Sequence, residues 1–412
     1  MGNTCGGDSA RKGGGRQEGC SGEEVLPQFR YHREGCSGDC GEATPPPVVR
    51  VPLVAHEITA LVEGFSFYTG EAEGGVDVPR AMLQLTAAHD AGSGAAAVFL
   101  AEIVQDSSIM GTAGPWERGE AAGGFWAEKE AAEEEALRLY VDALRLGVKE
   151  EAARGEPYAQ LATGLLHTGC QWRIPGLALH IPKDAQGGVE LFALASAQGL
   201  AHATFKLGLN EGKVEEKVAR LKVAAKAGNV HAMHELGELY TKPGQLTNLN
   251  AAAPYRVAAA NAGYSPALVA VGRLKEASAL GHGGASYALG NALQFTSLDR
   301  ATGMDRTREK RQADEVAAWG WYRLAARQGN ACAMYELGHC VCHGYDNNGY
   351  TVAANRAEGV AWLRPLAILG KGVWCVKARE DLAGLGEAPA SYEGSRQTRW
   401  LQQLGLLPEE GD

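Results

Sequence analysis

The stretch of sequence that decides the fold is Ala224–Tyr240, AAKAGNVHAMHELGELY. Ala232, Leu236 and Tyr240 are spaced four residues apart, so they share one face of an α-helix. Gly228 follows an alanine-rich segment, and glycine is the residue that most often ends a helix in the left-handed conformation. The stretch therefore predicts one helix that ends near Gly228 and a second helix that begins within about three residues of it.

The same skeleton returns along the chain: a glycine, an alanine four residues later, and a leucine-glycine pair eight and nine residues later. Clear copies follow Gly199 and Gly329. Near or weaker copies follow Gly92, Gly155, Gly263 and Gly281. A single helical pair cannot bury its own apolar face, so the units are expected to stack. The 18-residue interval between Gly263 and Gly281 is too short for two full helices and predicts a truncated unit.

A second set of glycines lies inside the predicted helices, at one position of the repeat. These are Gly208, Gly237, Gly272, Gly290 and Gly338. A glycine in a helix interior costs about 0.5–1 kcal/mol relative to alanine. Their recurrence therefore predicts places where two helices approach too closely for a side chain.

These features resemble the Sel-1-like repeat family, which is related to the tetratricopeptide repeats and consists of antiparallel helix pairs. LGELYTKPG at 236–244 and LGHCVCHG at 337–344 are similar to the family's LGxxYxxG motif, and WGWYRLAARQG at 319–329 to its AAxxG ending. Residues 60–92 resemble a whole unit. The resemblance implies an all-α superhelix of about seven to nine stacked antiparallel hairpins. It also implies a scaffold whose first helices line a surface for a protein or peptide.

The composition is that of a folded, acidic protein. Apolar residues make up 45% and charged residues 21% of the 412-residue chain, which supports a sizeable core. The net charge of −10 argues against a nucleic-acid-binding surface. We find no stretch of about 18 uninterrupted apolar residues and no charged-then-apolar opening, so neither a membrane span nor a secretory signal is expected. The expected location is cytoplasmic.

The sequence divides into three parts. Residues 1–50 are rich in glycine and have almost no apolar periodicity, which predicts a disordered tail. Residues 51–370 contain the repeats and predict the solenoid. Residues 371–412 predict C-terminal capping helices and a short tail.

The opening residues MGNTC resemble the starts of plant and protist calcium-dependent protein kinases, which are doubly acylated. The resemblance implies myristate on Gly2 and palmitate on Cys5. Gly6 departs from the pattern, because serine or threonine is preferred there. Two acyl chains would be needed to hold the protein at the cytoplasmic face of a membrane, since one binds only marginally. An ordinary disordered start that happens to carry Gly2 explains the same residues equally well.

The densest group of soft metal ligands is HCVCH at 339–343, with Cys332 nearby. Zinc sites usually combine such a pair with a remote second pair, and no second pair is evident. Cysteines that pack between helices are therefore the preferred interpretation, and no metal or other cofactor is expected. No GxSxG, Walker or HExxH motif is present, so no catalytic residue is assigned.

We therefore expect a non-catalytic scaffold or adaptor that binds a protein partner of unknown identity. Tyr240, Tyr287 and Tyr335 lie on or near first helices and are candidate partner-binding residues, because aromatic side chains anchor many interfaces.

Two other interpretations stay open. One is a hydrolase that resembles the bacterial Sel-1-like-repeat β-lactamases, which would need a convergent nucleophile and base. The other is a metal or redox protein built on Cys332, Cys340 and Cys342.

Overall fold

The structure is a computed structural model. It describes residues 55–105, 135–168, 184–244, 246–294, 307–347, 350–368 and 373–387. The expected tail at 1–50, with Gly2 and Cys5, lies outside the described residues, as does the segment 388–412. Within the described ranges the chain is almost entirely helical.

The helices pair as antiparallel hairpins that follow one another along the chain. The first helices are α1 (Ala55–Thr69), α3 (Gly94–Gln105), α6 (Pro157–Thr168), α8 (Ala201–Asn210), α10 (Val230–Thr241), α12 (Ser265–Ala270), α14 (Gly283–Gln294) and α16 (Ala331–His343). The second helices are α2 (Val78–Asp90), α4 (135–145 in its described part), α7 (Ala185–Ala197), α9 (Val214–Lys226), α11 (Leu249–Asn261), α13 (Leu274–Ala279), α15 (Arg308–Arg327) and α17 (Arg356–Ile368). Between α4 and α6 lies α5 (Val148–Ala153), and the last described helix is α18 (Val373–Gly384).

Each hairpin packs on the next one, and α18 packs on α16 and α17. The eight hairpins of the described residues confirm the all-α solenoid that the repeat predicts. The core follows the stack: one buried cluster runs from Leu61 to Leu207, and another runs from Ala318 to Leu382.

The turns between hairpins have the predicted chemistry. Gly228 has φ of 98° and Gly329 has φ of 82°, the left-handed conformation that glycine adopts without a steric penalty. Asn229 then starts α10, since its side chain accepts a hydrogen bond from the Ala232 backbone at 3.0 Å. Asn330 starts α16 in the same way. A glycine followed by asparagine thus ends one helix and caps the next within two residues.

The glycines inside the first helices mark close helix approaches, as predicted, in four of five cases. A Cβ added to Gly338 would lie 2.8 Å from Leu363 Cγ, and one on Gly290 would lie 2.7 Å from the Tyr322 ring. Gly208 and Gly237 are similarly close to their second helices. Gly272 is the exception: it has φ of 82° and no neighbour within 4 Å, because it ends the six-residue helix α12 instead of lying inside a helix.

Two local departures interrupt the regular stack. The predicted truncated unit is confirmed, since α12 and α13 each have only six residues. Between α16 and α17, strands β1 (Tyr345–Asn347) and β2 (Tyr350–Val352) form a small antiparallel pair, where the repeat predicts no strand. The Asn-Gly pair at 348–349 is a strong hairpin signal in the sequence. Trp319 packs on Tyr345, with ring centroids 4.9 Å apart, and holds the strands against α15.

Candidate partner-binding surface

The first helices carry a surface that faces away from their own second helices. In α10, for example, Ala232, Leu236 and Gly237 are buried toward the hairpin interior. We call the glycine that precedes each first helix, such as Gly228 before α10, its stop glycine. The residues three and six positions after it lie on a different side of the helix, because each residue advances about 100° around the axis. The position-three residues include Tyr158, His202, His231 and Cys332, and the position-six residues include Phe205, His234, Tyr287 and Tyr335.

The chain's own first helix covers the N-terminal part of this surface. The Phe65 ring of α1 lies 5.5 Å from the rings of Tyr158 in α6 and His202 in α8. The Tyr68 ring lies 5.4 Å from that of His231 in α10. Phe65, His202 and His231 are buried and Tyr158 is half-buried, so the position-three residues of these helices pack against α1.

The loop after α1 continues this contact. Asn229, which caps α10, donates from Nδ2 to Glu71 Oε1 at 3.0 Å and also lies 3.2 Å from His202 Nδ1. The Val76 backbone N–H donates to the Ala262 carbonyl at 2.8 Å, next to the turn before α12. The first hairpin is therefore attached to units far along the chain.

Burial is the largest influence on the pKa of Glu71 and of His202 in this N-terminal contact. It raises the pKa of the Glu71 carboxyl, and hydrogen bonds from Asn229 and Thr69 partly offset the rise. Burial also holds the pKa of His202 well below 6.5, with further lowering from the charges of Lys206 and His231. His202 is therefore neutral at physiological pH.

The C-terminal part of the surface is different, and two first helices, α14 and α16, contribute to it together with the last described helix, α18. We define the aromatic shelf as Tyr287 of α14, Tyr335 and Glu336 of α16, and Trp374 and Lys377 of α18. The rings of Tyr335 and Trp374 lie 5.4 Å apart. The Lys377 ammonium lies 4.6 Å from the Trp374 ring centroid and 5.6 Å from that of Tyr335. All five side chains are half-buried, so each is fixed by packing and still reaches solvent.

Carboxylates surround the shelf. Tyr287 donates its phenol hydrogen to Glu336 Oε1 at 2.8 Å. Asp381 Oδ2 lies 2.7 Å from His339 Nδ1, and the His339 ring stacks on Tyr335. Burial raises the pKa of Glu336, whereas the Tyr287 hydrogen bond and the Lys377 charge lower it. Burial and the charge of Asp381 raise the pKa of Tyr335 to about 12, so its phenol stays protonated at physiological pH.

Two of the three candidate tyrosines are linked indirectly, because the Tyr287 phenol binds Glu336, the residue that follows Tyr335. Tyr287 and Tyr335 both belong to the shelf. Tyr240 lies apart from them, because its ring stacks on Tyr255 of α11 at 6.2 Å and the Lys222 ammonium lies 6.0 Å from it. Its contacts hold α9, α10 and α11 together.

The cysteine group of α16 is dispersed. Cys342 points at α17, where Gly359 leaves room for its sulfur, and His339 pairs with Asp381. Within the described residues, no three His, Cys, Asp or Glu side chains converge as metal ligands. Burial raises the pKa of Cys332 and of Cys342, which keeps both as weakly nucleophilic thiols at neutral pH.

Sequence reasoning missed the α18 half of the shelf. Trp374 stands where the repeat pattern expects alanine, so it reads as a departure from the pattern. Lys377 follows it by three residues, a spacing that places both on one face of a helix. The helices predicted over 371–412 already place the two on one face, but their contact with Tyr335 depends on the packing of α18 against α16.

The fold defines a helical-repeat solenoid protein. No family model matches the sequence, and no curated protein matches it. Among solved structures, the chain is similar to a Sel1 repeat protein from Oxalobacter formigenes, with 22% identity, a TM-score of 0.41, and 80% of this chain and 86% of that chain covered. It is also similar to c5321, a protective antigen of uropathogenic Escherichia coli that displays an SLR fold, with 17% identity, a TM-score of 0.40 and 84% of each chain covered.

No helix in the described part of the chain is both long and apolar enough to cross a membrane.

Proposed function

We propose that this protein is a non-catalytic scaffold that binds a segment of another protein on the aromatic shelf. The observation that carries the proposal is the Tyr335–Trp374 pair, two large half-buried rings on the packed helices α16 and α18. Aromatic residues dominate the energetics of many interfaces. Because neighbouring side chains already fix these rings, a partner that covers them would cost little additional side-chain entropy.

The position of α1 supports the choice of this end of the solenoid. Phe65 and Tyr68 already cover the first-helix surface between α6 and α10. Repeat proteins bind partners along such surfaces. No ring contact of Phe65 or Tyr68 reaches α14, α16 or α18 in the described part of the chain, which favours these helices as the partner-binding part.

Site-specific photo-cross-linking in cells tests this proposal. A benzoylphenylalanine at position 335 should capture a protein partner, and the cross-link should be lost when Trp374→Leu is added. The same photoreactive residue at Val223, which is 62% exposed on the second helix α9, is the matched control. Equal capture from both positions, or capture at position 335 that Trp374→Leu leaves unchanged, would mean that the shelf is not the binding site.

We also propose that myristate on Gly2 and palmitate on Cys5 tether the scaffold to a membrane. The support comes from the sequence alone, because both residues lie outside the described part of the chain. A fluorescent fusion of the full chain should be membrane-bound, Gly2→Ala should release it, and Cys5→Ser should weaken its retention. A wild-type fusion as diffuse as Gly2→Ala would rule out the tether.

A further inference from the structure

We infer that the aromatic shelf accepts a cationic side chain from the partner, so the partner segment is a basic, arginine-containing peptide. In the structure Lys377 occupies the place that the partner's cation would take. This inference rests on the proposed function, and it adds the chemical class of the partner.

The first argument is the environment of the Lys377 ammonium. It lies over the ring faces of Trp374 and Tyr335, at 4.6 and 5.6 Å from their centroids. Among the described residues it forms no ion pair with a carboxylate. A cation over two aromatic faces is a cation–π arrangement, and the two rings together form a receptor for positive charge.

The second argument is that two carboxylates lie beside the rings. Glu336 accepts from the Tyr287 phenol, and Asp381 pairs with the His339 imidazole. Glu380 is exposed at the same end of α18. Neither Glu336 nor Asp381 forms an ion pair with a described lysine or arginine; the Lys377 charge does lower the Glu336 pKa, and a partner's cation would act on this carboxyl in the same direction.

Arginine fits this combination better than other side chains. Its planar guanidinium stacks on aromatic faces and donates two parallel hydrogen bonds to one carboxylate. A guanidinium that displaced Lys377 would take its place over the Trp374 and Tyr335 rings, and would take over its electrostatic interaction with Glu336. An acidic segment would instead face the charges of Glu336, Glu380 and Asp381.

The experiment measures the binding of labelled peptides to the full chain by fluorescence anisotropy. The probes are an alternating glycine-arginine octapeptide and an alternating glycine-glutamate octapeptide. The variants are Lys377→Met, which removes the competing cation and keeps the side-chain stem, and Trp374→Leu, which removes a ring. Lys222→Met is the matched control, because Lys222 also lies over a tyrosine ring but away from the shelf.

We expect the arginine peptide to bind more tightly than the glutamate peptide and to weaken as salt is added. Lys377→Met should tighten arginine-peptide binding about threefold, and Trp374→Leu should weaken it about tenfold. Lys222→Met should leave it unchanged. If Trp374→Leu lowers the melting temperature, Tyr335→Leu provides the ring variant in its place.

Weaker arginine-peptide binding in Lys377→Met would overturn the inference, because Lys377 would then be an anchor for a partner's carboxylate. Preference for the glutamate peptide, lost in Trp374→Leu, would also overturn it while leaving the shelf as a peptide-binding site. If neither peptide responds to the ring variants, the inference fails. The proposed function then fails as well only if cross-linking at position 335 captures no partner.

Discussion

Tyr287 and Glu336 lie on different hairpins and are joined by a phenol-to-carboxylate hydrogen bond of 2.8 Å. The bond ties α14 to α16 within the shelf, and burial of both groups raises the pKa of each. A half-buried carboxylate whose pKa is raised by desolvation depends on such a donor. The shelf is thus held in shape by a polar contact between its own residues.

Removing this contact should destabilise the protein measurably. Tyr287→Phe leaves Glu336 without its phenol donor, and we expect a loss of about 1–2 kcal/mol in the free energy of unfolding. Urea denaturation at neutral pH measures it. Tyr255→Phe is the control, because that ring contributes by stacking on Tyr240. A loss of equal size in both variants would show that the hydrogen bond to Glu336 is not the cause.

The close glycines predict different costs for a methyl group. Gly338→Ala should lose about 1–3 kcal/mol, because its Cβ would meet Leu363 Cγ at 2.8 Å and the Gly359 carbonyl at 3.1 Å. Gly237→Ala should also destabilise, because its Cβ would meet Arg256 Cγ and displace a side chain that pairs with Glu238.

Gly320 provides the control for these substitutions. It lies inside α15, and a Cβ added there would have no neighbouring atom within 4 Å, so Gly320→Ala should gain about 0.5–1 kcal/mol from helix propensity. Thermal melts of the three variants rank them. Identical melting temperatures for Gly338→Ala and Gly320→Ala would contradict the packing argument.

The N-terminal contact should make stability depend on pH. The folded state holds the pKa of His202 well below 6.5, so the unfolded chain binds a proton there first. Stability is therefore fully present above about pH 6.5 and is lost as the pH falls toward the folded pKa. Urea midpoints should fall from pH 8 to pH 5, a range chosen to span the histidine reference pKa of about 6.5. His202→Gln should flatten part of that fall.

Glu71 should oppose this trend. Its folded pKa lies above 4.5, so its contribution to stability is present at low pH and is lost as the pH rises through the folded pKa. In Glu71→Gln this compensation disappears, and the acid loss of stability should become steeper than in the wild type. A shallower loss would show that Glu71 is ionised in the folded protein across this range.

Phe65 should be essential to the same contact. It is 2% exposed and touches side chains of several first helices, so Phe65→Ala should cost about 3–5 kcal/mol. Phe67, two residues on, is only partly buried, and Phe67→Ala should cost clearly less. Chemical denaturation of both variants compares them, and equal losses would argue against a special role for α1.

Much of the fold could be predicted from residues that act locally. A stop glycine such as Gly228 and a cap such as Asn229 determine where helices end and begin through their own conformations, and both are legible in sequence. The prediction for Gly272 is wrong. Gly272 occupies the same repeat position as the other four glycines, nine residues after a helix-ending glycine, but α12 has only six residues and ends before it.

The candidate site was predictable only where the repeat position persists. Tyr287 and Tyr335 occupy the same position of their units, and so the pattern indicates them together. Lys377 lies beyond the last recognisable copy, where the pattern indicates nothing. The cover over His202 and His231 could not be predicted at all, since a repeat pattern implies contacts between neighbouring units and says nothing about distant ones.

The attachment of Glu71 to Asn229 has a consequence for how such a chain can change length. An open stack gains or loses a unit anywhere, because only the two neighbours of that unit must adjust. Here the first hairpin is hydrogen-bonded to the fifth, so the number of hairpins between them is fixed by the distance that this contact spans. Adding or deleting one of these intervening hairpins would break the contact between Glu71 and Asn229. Growth and shortening of the array are therefore expected in the hairpins after α11.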